Sequence, residues 1–440
     1  MTDPMIEELL RQTADRVEAD PALSERLRGR VRRVRRARRR RRAAAAGAAA
    51  VVLGAAVVGG LSRHWTDDAS QDPTAVVATQ PTASAGVSGW RLRTAPVPDA
   101  AAAGDDLGMF AVGQSAVALG YRDGHYVASV AATAGEPFGS ARPSSPARLT
   151  SAVTAVSDTT LYLWGGQDTA RGTPLAGPVY PPSGLAFDVA TQTWSVLPAA
   201  PIESRDGAVA VWTGDRLIIW GGLLGEVPST GTPARVRSDG AAYAPATRTW
   251  ELLPAAPGDG NLVPQHAVWS GGRMIVWARE RGESSALEGG RTLVLDVAGR
   301  TWTEAAGPTL DAAGSSLVLT SAGPVAVSVL FGQSHAARFD RATSSWSALP
   351  GPTVPSATIC PTSVVALLAP AAATAVAVPE CAGGTPQLLD AAAGAWVPLT
   401  RWGTGLSGIA SAGESFLLLW KPPGRAAPDA AASLQVLSPS

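Results

Sequence analysis

Cysteine, lysine and asparagine are all scarce in this 440-residue chain. The two cysteines, Cys360 and Cys381, are too few for a disulfide scaffold, and their spacing matches no zinc-binding motif. Lys421 is the only lysine and Asn261 the only asparagine. Arginine in place of lysine, with abundant alanine, is typical of GC-rich coding as in actinobacteria, which predicts a source and no function. Phosphate-binding loops, serine-nucleophile elbows and His-Glu-x-x-His helices are also absent.

The net charge of the chain is also zero, but only because the opposite charges of two regions cancel. The chain holds 36 basic and 36 acidic residues. Residues 1–42 carry 14 arginines against 7 acids, a net of +7, and residues 43–440 carry 22 basic and 29 acidic residues, a net of −7. The overall balance speaks against a nucleic-acid-binding protein, while the split indicates that the chain divides near residue 42.

An uncharged segment follows the basic one. Residues 43–62 (AAAAGAAAVVLGAAVVGGLS) carry no charge, and a helix of that length spans about 30 Å, the hydrocarbon thickness of a bilayer. The 11 arginines of 28–42 should hold the N-terminus in the cytoplasm. The sequence therefore predicts a cytoplasmic basic helical segment (1–42), one transmembrane helix, a flexible linker (63–85) and an exported domain (86–440).

Other interpretations of the N-terminal region stay open. A basic run alone can form a nucleic-acid patch or a solvated helix face. The apolar stretch could belong to a cleaved signal peptide, although no small-x-small cleavage site follows it, and the full twin-arginine pattern is missing. Membrane-tethered anti-sigma factors also have a short cytoplasmic segment before one span, but their His/Cys zinc motif is absent here. A signal-transducing segment is thus the alternative to a simple anchor.

The exported part repeats about every 50 residues. Five segments share an apolar residue, usually followed by Asp, and a Trp seven positions after the first, as in FDVATQTW (187–194). Upstream, apolar runs end in double glycines, Gly165-Gly166 in LYLWGG and Gly221-Gly222 in LIIWGG. Seven positions form the ladder of equivalent aromatic residues: Trp90, Phe138, Trp194, Trp250, Trp302, Trp346 and Trp396.

Each unit is predicted to form four strands. Short runs rich in Val, Ile, Leu and Trp, separated by turns as in GAVAVWTGDRLIIWGG (207–222), indicate β-hairpins. Four strands per unit, repeated radially, are typical of a β-propeller, in which neighbouring blades cover each other's faces. The strand of Trp90 has no partner before it, and SLQVL (433–437) ends a unit that lacks its last strand, so we expect the two to pair. The predicted fold class is all-β, a seven-bladed propeller, with six blades the alternative.

The double glycine after a hydrophobic strand, followed by an aromatic residue and a Trp, resembles the kelch repeat. The resemblance covers about residues 86–440 and is strongest in the two units that carry both glycines and the Trp, whereas Ala278-Arg279 replaces the glycines in a later unit. The resemblance implies a kelch-type propeller of the kind that commonly binds proteins or carbohydrates. One branch, resembling galactose oxidase, is a copper enzyme.

That copper enzyme requires Tyr and His ligands and a Cys-Tyr crosslink. The 5 tyrosines and 4 histidines of this chain are scattered without ligand spacing, and His64 adjoins the predicted span. We therefore expect no catalytic residue, cofactor or metal. The midpoint between Cys360 and Cys381 falls between Pro370 and Ala371, at the junction of two apolar runs, so a hairpin there would pair them as a disulfide in an oxidising exterior. Two buried thiols are the alternative.

Most tryptophans occupy repeat positions, which favours a structural role for them. Trp65 is expected to be an interfacial anchor, and Trp402, in RWGTG between units, is the candidate ligand contact. The longest variable loops, 167–184 and 223–238, are expected at an axial binding face. We expect a single-pass membrane protein, a non-enzymatic monomeric propeller that binds a protein or cell-wall glycan outside the cell and no nucleic acid. A copper-dependent or sugar-active enzyme of the galactose oxidase type is the alternative, and a signal transducer is another.

Overall fold

The computed structural model describes residues 90–95 and most of 108–439. The longer stretches outside that description are 169–178, 226–233, 281–289, 354–361, 380–386, 399–405 and 421–432, and shorter ones of at most four residues occur elsewhere. The segments predicted as cytoplasmic helix, membrane span and linker, 1–85, lie outside the described residues. Within the described residues, no helix has the length and apolar character needed to cross a membrane.

Seven antiparallel sheets of three or four strands follow one another through the described chain. The chain opens with β1 (Trp90–Ala95), which joins the last sheet. The first sheet consists of β2 (Gly108–Val112), β3 (Ser115–Arg122) and β4 (His125–Ala131). The second consists of β5 (Val153–Val156), β6 (Thr160–Trp164), β7 (Leu185–Asp188) and β8 (Thr193–Val196).

In the third sheet, a separate two-stranded ribbon connects the second strand to the third, and it matters for the candidate site. The sheet consists of β9 (Val209–Trp212), β10 (Leu217–Trp220) and, after the ribbon of β11 (Leu223–Leu224) and β12 (Arg235–Val236), β13 (Gly240–Ala244) and β14 (Thr249–Leu252). The fourth sheet consists of β15 (Leu262–Ser270), β16 (Arg273–Glu280), β17 (Arg291–Asp296) and β18 (Thr301–Ala306).

The last three sheets repeat the same order. The fifth consists of β19 (Ser315–Thr320), β20 (Gly323–Leu330), β21 (Gln333–Asp340) and β22 (Ser345–Pro350). The sixth consists of β23 (Thr362–Ala369), β24 (Ala372–Pro379), β25 (Gln387–Asp390) and β26 (Ala395–Pro398). The seventh consists of β27 (Leu406–Ala412), β28 (Ser415–Trp420), β29 (Ser433–Pro439) and β1.

Middle strands are apolar on both faces because neighbouring sheets cover both. β10 is buried along its whole length, whereas the outermost strands β8 and β14 are exposed at three of their four positions. The first strands of successive sheets contact one another from β2 through β5, β9, β15, β19 and β23 to β27, and β27 in turn contacts β2. β1 pairs with β29, which confirms the predicted closure by the N-terminal strand.

The double glycines lie where the chain passes close to other backbone, in the neighbouring sheet and in their own. Gly221 and Gly222 have φ values of 70° and 110°. A Cβ on Gly221 would lie 2.8 Å from the Pro264 ring of the next sheet, and one on Gly222 would lie 2.7 Å from the Asp206 carbonyl oxygen of its own sheet. Only glycine adopts this backbone and leaves this space. The pair Gly165 and Gly166 makes the equivalent approaches to Arg205 and Thr150.

The ladder tryptophans of the fourth strands tie each sheet to the one before it. The Trp250 Nε1 donates to the Pro198 carbonyl at 2.9 Å, and the Trp302 Nε1 donates to the Pro254 carbonyl at 3.0 Å. In each case the proline lies four residues after the ladder Trp of the preceding sheet, in the sequence W-x-x-L-P. Trp396 makes the same bond to Pro350 at 3.0 Å.

Two ladder positions show what happens where that sequence is missing. The fourth sheet carries TWTEAA (301–306) without the proline, and Trp346 of the fifth sheet donates instead to the Thr292 Oγ1 at 2.8 Å. The first sheet also lacks the motif, and the buried Trp194 Nε1 of the second sheet has no hydrogen-bond partner among the described residues. The bond therefore depends on the carbonyl that the preceding unit supplies.

The strand register shows which residue occupies the ladder position in each sheet. In the second sheet, Leu161 lies three residues before Trp164 and pairs with Phe187, which in turn pairs with the ladder residue Trp194. In the seventh sheet, Leu417 lies three residues before Trp420 and pairs with Val436, which in turn pairs with Arg93. Arg93 therefore occupies the ladder position, and Trp90 lies three residues before it in β1. Phe138 lies beyond β4, outside the described strands, and packs half-buried against a cluster formed by strands of the first and seventh sheets.

The hairpin on which the disulfide prediction depends is confirmed. In the β23–β24 ladder, Thr362 faces Pro379 and Ala369 faces Ala372, so the hairpin is centred where the sequence predicts. Cys360 and Cys381 themselves lie outside the described residues.

The contribution of the Trp–carbonyl hydrogen bond to stability can be measured by comparing substitutions at two ladder positions. Trp250→Phe and Trp194→Phe both shrink a ring that packs against an aromatic residue of the third strand. Only Trp250→Phe also removes a hydrogen bond to the preceding sheet, so it should lower the free energy of unfolding by about 1 kcal/mol more. Urea unfolding of the two variants measures the difference, and equal losses would contradict a stabilising role for the bond.

Candidate binding site

The two loops expected to form a binding face come together at one edge of the second and third sheets. Their described parts are 167–168 with 179–184, and 223–225 with 234–238. The Tyr180 hydroxyl accepts a hydrogen bond from the Gly225 amide at 2.9 Å and donates one to the Asp206 Oδ2 at 3.1 Å. The Gln167 Nε2 donates to the same Oδ2 at 2.5 Å. Both loops therefore converge on Asp206, and we call this group the Asp206 site.

The backbone of Asp206 is fixed by the repeat. Its amide donates to the Leu223 carbonyl at 3.0 Å, and the Leu223 amide donates back at 2.7 Å. The equivalent bridge of the second sheet joins Thr150 and Gln167. In each sheet the bridge links the residue after the double glycine to the chain that enters the first strand. The side chain of Asp206 thus projects from a rigid part of the framework.

Only one oxygen of the Asp206 carboxylate has partners. Oδ2 accepts both hydrogen bonds, while the buried Oδ1 has none among the described residues. Burial raises the pKa of Asp206 above its ordinary value, and the hydrogen bonds from Gln167 and Tyr180 offset part of that rise. Burial also raises the pKa of Tyr180, with a further contribution from the Asp206 charge. Oδ1 is therefore a desolvated acceptor that a ligand O–H or N–H group could satisfy.

An ion pair between a buried arginine and a half-exposed aspartate adjoins the site. The side chain of Arg205 is fully buried, and its guanidinium binds the Asp239 carboxylate through two bonds of 2.5 and 3.2 Å. The Arg205 Nε donates to the Glu203 carbonyl at 2.5 Å, and Arg237 forms an ion pair with the Glu203 carboxylate. Burial acts to raise the pKa of Asp239, but the hydrogen bond and charge of Arg205 outweigh it and hold the pKa below its ordinary value.

Sequence reasoning located the two loops but missed the side chains that join them. Arg205 and Asp206 stand where the preceding unit has Leu149 and Thr150. Leu149 and Arg205 are both buried, so the same packing position holds an apolar residue in one unit and a cation in the next. The only sequence signal was therefore a change of residue class between aligned repeats. The ladder and glycine patterns do not include this position.

The other predicted contacts do not add to this site. Trp402 lies outside the described residues. Trp164, Trp220 and Trp277 lie in middle strands and are fully buried in the core. His266 is also buried, 3.0 Å from the Ser315 Oγ, and burial lowers its pKa to about 4. Among the described residues, no three His, Cys, Asp or Glu side chains cluster as metal ligands would.

Comparisons with known proteins give distant similarities in structure to many solved chains. No protein-family model matches the chain, and no curated protein matches it. A solved structure titled "Structure of YjhT" is 16% identical, with a TM-score of 0.42, over 67% of this chain and 96% of that chain.

The contribution of the Arg205–Asp239 ion pair to stability can be tested by substitution. The preceding unit has Leu149 and Ser183 at the two equivalent positions, so leucine and serine are the replacements. Asp239→Ser should lower the free energy of unfolding by about 2–3 kcal/mol, because it leaves a buried guanidinium unpaired. The loss is smaller than for a fully enclosed pair, since the Asp239 side chain is 51% exposed. The double variant with Arg205→Leu should recover most of it. Urea unfolding that shows equal losses for the single and double variants would contradict this account.

Proposed function

We propose that this chain is a membrane-anchored, seven-bladed kelch-type propeller that binds a protein or cell-wall glycan outside the cell. The cyclic contacts among the first strands of seven sheets support the blade count. The double glycines and the ladder tryptophans support a repeat of the kelch type, since both lie at the junctions between sheets. The proposal is one of binding without catalysis.

The buried, unpartnered Oδ1 of Asp206 is the observation that carries ligand binding. A desolvated carboxylate oxygen without a donor costs stability, and groups of this kind are concentrated at functional sites. Gln167 and Tyr180 occupy only Oδ2, so Oδ1 is a buried acceptor that a ligand donor would satisfy by entering where the two loops meet. A glycan fits this chemistry best, because its hydroxyl groups donate to carboxylates and accept from neighbouring amides and phenols.

The same proposal places the sheets on the extracytoplasmic side. The uncharged segment 43–62 directly follows 11 arginines, which favours a cytoplasmic N-terminus. The register of the β23–β24 hairpin also supports an extracytoplasmic location of the sheets. A ladder continued two residues beyond Thr362 and Pro379 would set Cys360 opposite Cys381. A disulfide there suits an oxidising exterior and no catalytic role.

Asp206→Asn separates binding from stability. The amide keeps an oxygen for Gln167 and Tyr180 but removes the buried charge, so the melting temperature should not fall. Binding of the full chain to purified cell-wall glycan should weaken at least tenfold, because the carboxylate acceptor for the ligand hydroxyl is gone. Thermal unfolding and a sedimentation assay with the glycan measure the two effects.

Asp158→Asn is the matched control for this change. Asp158 is an exposed acid in the β5–β6 turn, at the opposite edge of the second sheet, and its substitution alters net charge by the same amount. It should leave glycan binding unchanged. Undiminished glycan binding by Asp206→Asn, or equal weakening by both variants, would contradict the assignment of the Asp206 site. Capture of a surface protein in place of the glycan, with the same dependence on Asp206, would make the ligand a protein.

Orientation and thiol state can be measured together. A periplasm-active reporter fused after residue 85 should be active. In the full-length protein, Cys360 and Cys381 should react with a thiol reagent only after reduction. A reporter active only in the cytoplasm would contradict the proposed topology, and two thiols that react before reduction would contradict the disulfide.

A further inference from the structure

A groove of about 430 Å³ lies between the third and fourth sheets, at the edge opposite the Asp206 site. It opens beside the β9–β10 turn and the β17–β18 turn, whereas the Asp206 site lies at the other ends of these strands. Its volume is in the range of pockets that bind small organic groups. Its walls are Leu253, Trp269 and Leu295, and its rim carries Arg216, Glu251 and Arg300.

Two side chains at the junction that holds the groove are smaller than their equivalents one sheet earlier. Between the second and third sheets, Tyr162 stacks on Trp212 with ring centroids 5.6 Å apart and planes at 16°. Tyr243 packs in the same cluster. The equivalent residues between the third and fourth sheets are Ile218, Trp269 and Leu295, which also share one cluster.

The strand registers establish this equivalence. Trp212 pairs with Leu217 and Trp269 pairs with Met274, and each of these partners lies three residues before the buried Trp of its strand. Tyr243 and Leu295 face those same two residues from the third strands. Tyr162 and Ile218 each lie two residues before the Trp that ends their middle strand. The tyrosine ring that covers the indole in one junction is therefore replaced by an aliphatic side chain in the next.

Trp269 is left half-buried, and no aromatic ring stacks on it among the described residues. An indole face at the wall of an open groove favours a second flat ring, since such pairs add to the free energy of simple burial. The neighbouring junction shows which ring this framework accommodates against an equivalent Trp: a phenol.

The rim is polar and ordered. Glu251 accepts a hydrogen bond from the Arg216 Nη1 at 3.0 Å and a second from Arg300. These contacts lower the pKa of Glu251, through the Arg216 hydrogen bond first and the Arg300 charge next. Arg300 also donates to the carbonyl of Leu252, whose side chain is 53% exposed at the same rim. Guanidinium donors and a carboxylate acceptor are thus within the groove for a phenolic hydroxyl.

We propose that this groove receives a tyrosine side chain of a partner polypeptide, which lies against Trp269 as Tyr162 lies against Trp212. The exposed Leu252 and the paired charges of the rim suit the backbone and flanking residues of such a segment, because a buried aromatic anchor with a polar rim is the usual anatomy of a protein contact. This site is separate from the Asp206 site and does not depend on the glycan proposal.

The test uses two probes on the full-length chain, p-cresol as the bare side chain and acetyl-Ala-Tyr-Ala-amide as the polypeptide form. Ligand-observed NMR should show binding of both, and 4-methylcyclohexanol, the saturated analogue of p-cresol, should bind about fivefold more weakly. Ile218→Tyr fills the groove from the third sheet and should weaken both probes at least tenfold. Leu295→Tyr, which reproduces Tyr243, fills it from the fourth sheet and should act alike if the first variant fails to fold.

A gain of binding completes the test. Tyr162→Ile together with Tyr243→Leu opens the equivalent junction, so the triple variant Tyr162→Ile/Ile218→Tyr/Tyr243→Leu should regain binding that Ile218→Tyr alone has lost. Unchanged p-cresol binding in a folded Ile218→Tyr variant would overturn the site. Equal binding of 4-methylcyclohexanol, or preference for methyl β-glucoside, would overturn the aromatic ligand, and failure of the peptide where p-cresol binds would overturn the polypeptide partner. Loss of glycan binding in Asp206→Asn has no bearing on these outcomes.

Discussion

A four-stranded sheet whose middle strands are apolar on both faces is unstable by itself, and every other feature of the described structure follows from that constraint. β10 is buried throughout, so the third sheet needs a neighbour on each side. Close approach of sheets requires a backbone without side chains at the crossing, which Gly221 and Gly222 provide. The ladder tryptophans then hydrogen-bond across each junction where the preceding unit supplies a carbonyl.

Departures from the repeat are where binding chemistry can arise, because the shared framework fixes the backbone around them. Arg205 and Asp206 replace a leucine and a threonine, yet their backbone makes the same bridge as in the preceding sheet. Ile218 and Leu295 replace two tyrosines without changing the strand register. In both places the main chain is set by the repeat, and only the side chains change what the surface offers to a ligand.

The repeat also explains how much the sequence could predict. Strand order, the glycine pairs and the closing of the last sheet by β1 all follow from patterns within one unit or at the chain's two ends. The position of Trp90 did not follow, because in the other four-stranded sheets a tight turn fixes the register of the fourth strand. That turn has a left-handed residue two places before the ladder Trp: Gln192, Arg248, Arg300, Ser344 and Gly394. β1 is joined to β29 by no turn, and its register brings Arg93 to the ladder position.

The candidate sites were less predictable because each is formed by two sheets. The Asp206 site joins side chains of the second and third sheets, and the groove depends on a comparison of successive junctions. Both adjoin the third sheet, at opposite ends of strands of four residues, which are about 13 Å long. Because β10 is completely buried between them, a conformational change at one site cannot reach the other without disturbing the packing of the core. The two sites can therefore act as separate binding surfaces on one rigid framework.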